Sequence, residues 1–197
     1  MIAIFDYGEG NLQSVQNTLA EIGATYTLTR DSAGLRAASK IILPGVGHFG
    51  QMMRALDALA VRETLLERIA AGVPFLGICL GLQALLAQSE EAAEAPGLGL
   101  YPGTVRRFPA GARVPHMGWN QLEPKTPSKL LANVSPKPYV YFAHSYYVPE
   151  NAATAASCSY SVPYTAVLED RNIFGVQFHP EKSGPVGLRI VRNFLEL

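Results

Sequence analysis

The sequence predicts an α/β fold: a central, mostly parallel sheet flanked by helices, with an additional antiparallel section. Three observations predict it. Up to about Ala87, short apolar runs alternate with segments of helical period. Those runs end in glycine-bearing loops, the punctuation of a strand that turns into a helix. From Tyr101 onward the texture changes to short strands between proline- and glycine-rich turns, which suits antiparallel pairing. At 197 residues and 48% hydrophobic content the chain has material for one sizeable core. It contains no internal repeat, low-complexity run or linker, so a single domain over 1–197 is expected.

Ile2–Phe5 reads as a short buried strand, and Asp6-Tyr7-Gly8-Glu9-Gly10-Asn11 as the loop after it. Leu12, Val15, Leu19 and Ile22 recur at helical spacing, and Gly23 suits the residue after a helix end. Thr25–Thr29 alternates weakly as a second strand, and Asp31-Ser32 caps a brief helix before the strand Lys40–Leu43. That strand runs into the turn Pro44-Gly45-Val46-Gly47. Two helical segments follow, one marked by Met52, Met53, Leu56 and Leu59, the other by Leu65, Leu66 and Ile69 with Gly72 closing it. The methionines read as core filler. Val73–Ile78 is the next strand, with a helix through about Ala87 behind it.

In the second half, Val105, Trp119, Tyr139–Phe142, Ala155–Tyr160, Ala166–Leu168 and Ile173–Phe178 mark strands. Gly187–Leu195 closes the chain as a helix with Leu188, Val191 and Leu195 on one face. In parallel sheets ligands sit beyond the carboxyl ends of the strands. The loops at Asp6, Pro44 and Cys79 all belong to that edge.

Charge and composition exclude several classes. Sixteen basic residues balance sixteen acidic ones, so the basic footprint of a nucleic-acid binder is missing. Met1–Phe5 carries no basic leader and reaches Asp6 too soon for a signal peptide. No apolar run approaches the roughly 20 residues of a membrane span. A cytoplasmic protein without membrane attachment is expected, and the sequon Asn133-Val134-Ser135 is then idle. Cys79 and Cys158 are the two cysteines, which is no disulfide framework. Neither a metal nor a cofactor is implied.

The chemistry concentrates at Gly77-Ile78-Cys79-Leu80-Gly81. A glycine two positions to each side permits a sharp strand-to-helix turn that holds the central side chain out of the fold. A lone buried cysteine is usually inert packing. What adds weight is Phe174-Gly175-Val176-Gln177-Phe178-His179-Pro180-Glu181, in which an apolar strand delivers His179 and one proline separates it from Glu181. A nucleophilic thiol needs a base, and the base needs a third group to hold its tautomer. An extended His-Pro-Glu segment stiffened by Pro180 supplies both. The plainer reading of His179 is a strand-end histidine bonded to a carbonyl. Cys158, on a predicted strand without a neighbouring base, reads as packing.

Together the elbow and His179-Pro180-Glu181 resemble the class I (triad) glutamine amidotransferases, over nearly the whole chain. The resemblance implies their flavodoxin-like fold and hydrolysis of glutamine at a Cys-His-Glu triad. Asp6-Tyr7-Gly8-x-Gly10-Asn11-Leu12, Leu43-Pro44-Gly45-Val46-Gly47, Pro115-His116-Met117-Gly118-Trp119-Asn120 and His144-Ser145-Tyr146 resemble one branch. That branch comprises the glutaminase subunits of imidazole glycerol phosphate synthases. The resemblance makes Cys79 the nucleophile that forms a γ-glutamyl thioester, His179 the base and acid, and Glu181 its orienter. It puts the oxyanion hole at the backbone of Leu80 and of Gly45–Val46, the latter peptide flipping into place when the partner's site is filled.

Gln83, Glu91 and the backbone of Ser145 and Tyr146 are the implied glutamine-binding positions. For Gln83 and Glu91 a solvated helix end is the alternative, and Glu90 rivals Glu91. His116 and His144 read as structural or interface residues. The implied partner is a (β/α)₈-barrel cyclase subunit in a heterodimer, which uses the ammonia to make imidazole glycerol phosphate and AICAR. Asn11, Trp119 and Lys182 would face it, with a core tryptophan and a merely exposed lysine as the plainer readings of the last two. Three other readings stand beside this one: the glutaminase subunit of pyridoxal 5′-phosphate synthase, a silent regulatory subunit, and a cysteine peptidase or redox relative on a similar fold.

Overall fold

A computed structural model of the chain describes residues 1–8 and 12–197. Its first part is the expected alternation: β1 (Ile2–Phe5), α1 (Leu12–Ile22), β2 (Tyr26–Thr29), α2 (Ser32–Ala37), β3 (Lys40–Gly45), α3 (Phe49–Ala58), α4 (Arg62–Ala70) and β4 (Phe75–Cys79). β1 pairs in parallel with β2 and β3, and β3 with β4. Gly23 and Gly72 sit at positive φ after α1 and α4 and end them as the sequence predicts. Asp31 Oδ1 accepts the Gly34 N–H at 2.8 Å and caps α2. β3 outlasts its expected end at Leu43. Pro44 and Gly45 stay extended because they continue the ladder, opposite Ile78 and Cys79.

The helix expected through Ala87 is one turn, α5 (Leu80–Gln83), and β5 (Leu86–Ser89) follows it. Pairing with β6 (Tyr101–Arg107) captures that segment and overrides its alanine- and leucine-rich helical preference. Then come β7 (His116–Gln121), β8 (Glu123–Pro124), β9 (Tyr139–His144), β10 (Tyr146–Tyr147), β11 (Thr154–Tyr160), β12 (Val162–Asp170) and β13 (Ile173–Val176). A 3₁₀ turn at Pro180–Lys182 leads into α6 (Gly184–Leu195).

The main sheet has the order β2-β1-β3-β4-β13-β12-β11-β8. β13 lies parallel beside β4, Gly175 opposite Gly77 and Val176 opposite Ile78. β12, β11 and β8 continue the sheet antiparallel, so the antiparallel section is an extension of the parallel half. β10-β6-β5 and β7-β9 form two smaller sheets. The register of β13 on β4 brings the residues after both strands to one edge. It determines where the chemistry can be.

Both faces of the sheet are covered, which is why its central strands are apolar without alternation. Ala3, Phe5, Leu43 and Phe75 belong to one core cluster, with Met52 and Met53 of α3. Ile4, Ile42, Leu76 and Ile78 belong to the other, with Phe174 and Cys158. α6 buries Ile190, Val191 and Phe194, one position round from the face expected of Leu188, Val191 and Leu195. A Cβ at Gly187 would lie 1.9 Å from the Pro180 carbonyl oxygen, and this close approach fixes the helix's rotation. No helix among the described residues is long and apolar enough to cross a membrane.

Two glycines are required where β4 turns into α5. A Cβ at Gly77 would lie 2.4 Å from the Gly81 carbonyl oxygen, and one at Gly81 would lie 2.0 Å from that of Leu43. Both contacts are with backbone, which has nowhere to retreat. Gly81→Ala is therefore expected to cost about 1–3 kcal/mol, read as a lower denaturant midpoint at unchanged slope.

Candidate active site

Cys79 sits between β4 and α5 at φ 54° and ψ −105°, a conformation that L residues rarely adopt. Such strain costs about 1–3 kcal/mol and persists only where the surroundings impose it. Here pairing with Gly45 on one side, β13 on the other and the two flanking glycines impose it. Cys79 is 6% exposed and lines a pocket of about 200 Å³ with His179, Gln83 and Glu91.

His179 is anchored at both its backbone polar groups. Its N–H donates to the Tyr141 carbonyl at 2.9 Å, and its carbonyl accepts from Ser183 Oγ at 2.7 Å. Pro180 opens a 3₁₀ turn, so the segment is curled rather than extended as expected, and the curl returns Glu181 to the ring. His179 Nδ1 donates to Glu181 Oε1 at 2.8 Å, which leaves Nε2 for the thiol. Burial on its own would push the His179 pKa down. The Cys79 sulfur beside it and the Glu181 carboxylate outweigh that and raise it to about 10. His179 is thus biased toward its protonated form. Glu181 is itself buried, and its Oε2 has no hydrogen-bond partner among the described residues, so His179 is the carboxylate's principal polar contact.

Gln83 is buried, not a solvated helix end. Its Nε2 donates to the Tyr146 carbonyl at 2.9 Å and to Gln177 Oε1 at 3.1 Å. Both amide protons are then committed, and Oε1 is left as the acceptor. Glu91 lies in the turn after β5 and lines the pocket, accepting the Phe49 N–H at 2.8 Å through Oε2. Glu90 is engaged elsewhere, accepting the Arg107 N–H at 2.8 Å. Ser145 and Tyr146 also line the pocket. His144 and His116 are buried neutral histidines: burial holds them down, at about 3 and about 4. His144, itself in the pocket lining, donates from Nδ1 to the Tyr146 carbonyl at 2.8 Å, and His116 Nδ1 lies 3.3 Å from its Nε2. Cys158 is fully buried in β11, where burial pushes its thiol up to about 11.

The Leu80 N–H opens α5 directly after Cys79. The Gly45–Val46 peptide faces the elbow across the β3–β4 ladder, but its N–H is engaged. Val46 donates to Tyr7 Oη at 3.1 Å, and that hydroxyl donates back to the Val46 carbonyl at 2.8 Å.

Trp119 is 56% exposed and is no core residue. It stands on the β7–β9 ribbon opposite Tyr141, near exposed Met117 and Tyr139. Lys182 is exposed, its Nζ 5.8 Å from the Tyr141 ring centre. Asn11 lies outside the described residues. Among the described residues no group of three or more His, Cys, Asp or Glu side chains is placed to hold a metal ion.

The family described as "Glutamine amidotransferase class-I" matches residues 3–197. The chain belongs to that family. The "Imidazole glycerol phosphate synthase subunit HisH" of Methanothermobacter thermautotrophicus is 52% identical over 198 residues, covering 100% of this chain and 98% of the relative. The protein of the same description from Desulfitobacterium hafniense is 47% identical, covering 98% and 93%. Among solved structures, a "glutamine amidotransferase" superposes with a TM-score of 0.78 at 18% identity, covering 99% of this chain and 97% of that one, a likeness of fold.

In this amidotransferase the structure brings Cys79, His179, Glu181, Gln83, Glu91, Ser145 and Tyr146 to one edge, with Leu80 and Gly45–Val46 beside them. Sequence reasoning passed over two residues. Tyr7 lies within Asp6–Leu12, where the sequence alone assigns it no role. Gln177 lies in the strand expected over Ile173–Phe178, in which alternation puts residues two apart on one side, although β13 itself ends at Val176. NMR titration of the His179 ring is expected to show it protonated past neutral pH. In Cys79→Ala its midpoint should fall, because burial is then opposed by Glu181 alone.

Proposed function

We propose that the protein is the glutaminase subunit of an imidazole glycerol phosphate synthase, acting in the cytoplasm as one domain over 1–197. Cys79 beside His179, itself held by Glu181, is the observation that carries the hydrolytic step. The relatives' shared description supports the choice of branch. The pocket, at about 200 Å³, is below the roughly 300–1,000 Å³ typical of larger ligands and suits one amino acid rather than a peptide.

In the proposed reaction the Cys79 thiolate attacks the side-chain amide carbon of glutamine. The carbonyl oxygen gains the charge and is stabilised by the Leu80 N–H and, once it is released, the Val46 N–H. His179 gives its proton to the departing ammonia, leaving a γ-glutamyl thioester on Cys79. A water attacks that thioester, with His179 as base, and glutamate leaves. Glu91 receives the substrate's α-ammonium group, since its carboxylate is the acid in the pocket wall. The Gln83 carbonyl oxygen accepts from a substrate N–H, and the backbone of Ser145 and Tyr146 meets the carboxylate.

The ammonia passes to a (β/α)₈-barrel cyclase subunit, the proposed partner in a heterodimer, which makes imidazole glycerol phosphate and AICAR. Trp119 with Met117 and Tyr139 forms an exposed apolar ribbon suited to such an interface, with Lys182 at its border. The hydrogen bond that Val46 N–H donates to Tyr7 Oη supports conditional activity: the second oxyanion donor is occupied until the Gly45–Val46 peptide turns.

Glutaminase assays with and without the cyclase and its nucleotide ligand test this reading. Strong stimulation by the liganded cyclase is expected, and Cys79→Ala should abolish turnover in every case. Tyr7→Phe should raise the partner-independent kcat, by about tenfold if one hydroxyl bond holds the peptide, with little change in KM. Full activity in Cys79→Ala would remove the triad reading. No stimulation by the cyclase would remove the branch.

A further inference from the structure

Gln177 has no part in the reaction as drawn, yet its side chain touches the nucleophile. It is fully buried, two residues before His179, and its Nε2 lies 3.5 Å from Cys79 Sγ. The amide's orientation follows from its neighbours. The Tyr146 carbonyl can only accept, so the Gln83 group 2.9 Å from it is the nitrogen. That nitrogen also donates to Gln177, so the Gln177 atom facing it is the carbonyl oxygen. The remaining end of the Gln177 amide, turned to sulfur, is therefore the N–H donor. A backbone carbonyl thus sets two side-chain amides in series and aims an N–H at Sγ.

We propose that Gln177 is a further catalytic residue of this site, donating a hydrogen bond that stabilises the Cys79 thiolate. An amide neither gains nor loses a proton near neutral pH, so it favours the anion without competing with His179 as base. Sulfur anions are weakly held by donors in water, but here water is displaced and the donor is fixed. Gln83 acquires a second task, because its Nε2 holds Gln177 in the donating orientation. This inference rests on the reading of Cys79 as the nucleophile.

Alkylation of the full-length chain by iodoacetamide tests it, with adducts on Cys79 and Cys158 separated by mass spectrometry. The reagent reads the thiolate directly and requires neither glutamine nor a partner. Gln177→Leu removes the donor and Gln177→Glu keeps the shape while replacing N–H by oxygen. Each should slow Cys79 alkylation at neutral pH by about tenfold and move its rise with pH to more alkaline values, with native circular dichroism. Gln83→Met should act in the same direction, more weakly. An unchanged alkylation profile in either folded Gln177 variant overturns the proposal. If neither variant folds, the side-chain amide NMR signal of Gln177 in the unsubstituted protein decides. It should shift when Cys79 is alkylated, and a signal that does not move overturns the proposal. Glutamine turnover surviving in Cys79→Ala would instead overturn the function, so the two failures are distinguishable.

Discussion

The left-handed backbone at Cys79 is the constraint on which the rest of the site depends. A residue at φ 54° and ψ −105° relaxes unless its neighbours forbid it. β3 on one side and β13 on the other forbid it, and Gly77 and Gly81 allow the carbonyls of Gly81 and Leu43 to close in on the turn. The same strands deliver everything the thiol needs. β13 ends two residues short of Phe178, the neighbour of His179, and β3 ends at Gly45 opposite the elbow. The strain is local, and the whole sheet sustains it.

Much of the fold was legible because both signals it uses are short-ranged. Apolar runs ending in glycine gave β1, β3 and β4, and period-3.6 stripes gave α1, α3 and α4. The failures lie where distant pairing decides. Leu86–Ser89 has helical composition and becomes a strand because β6 pairs with it, and no local pattern announces that. α6 is rotated by one position because Gly187 seats against Pro180, a contact between elements.

At the site, Cys79, His179 and Glu181 stood out because unusual spacing marks them: glycines around one, a proline between the others. Gln177 did not, since a glutamine in an apolar strand looks like an ordinary polar interruption. Its meaning lies in what its amide meets, namely Gln83 on one side and sulfur on the other. Tyr7 was hidden for a related reason: a hydroxyl that both accepts from and donates to one distant residue has no sequence signature. The choice between Glu90 and Glu91 needed the turn after β5, which aims one carboxylate at Phe49 and the pocket and the other at Arg107.

Charge then organises the small polar interior. His144 and His116 are held neutral by burial, while His179, equally out of the water, is driven the other way by the sulfur and carboxylate on either side of it. Three histidines near one pocket thus divide into two held neutral and one driven toward its charged form. The most direct measurement of the central claim is capture of the covalent intermediate. The chain, together with the liganded cyclase proposed as its partner, is quenched in acid during glutamine turnover and digested for mass spectrometry. A glutamyl group on the Cys79 peptide is the expected result. Turnover with no adduct at Cys79, or with the glutamyl group on Cys158, would contradict it.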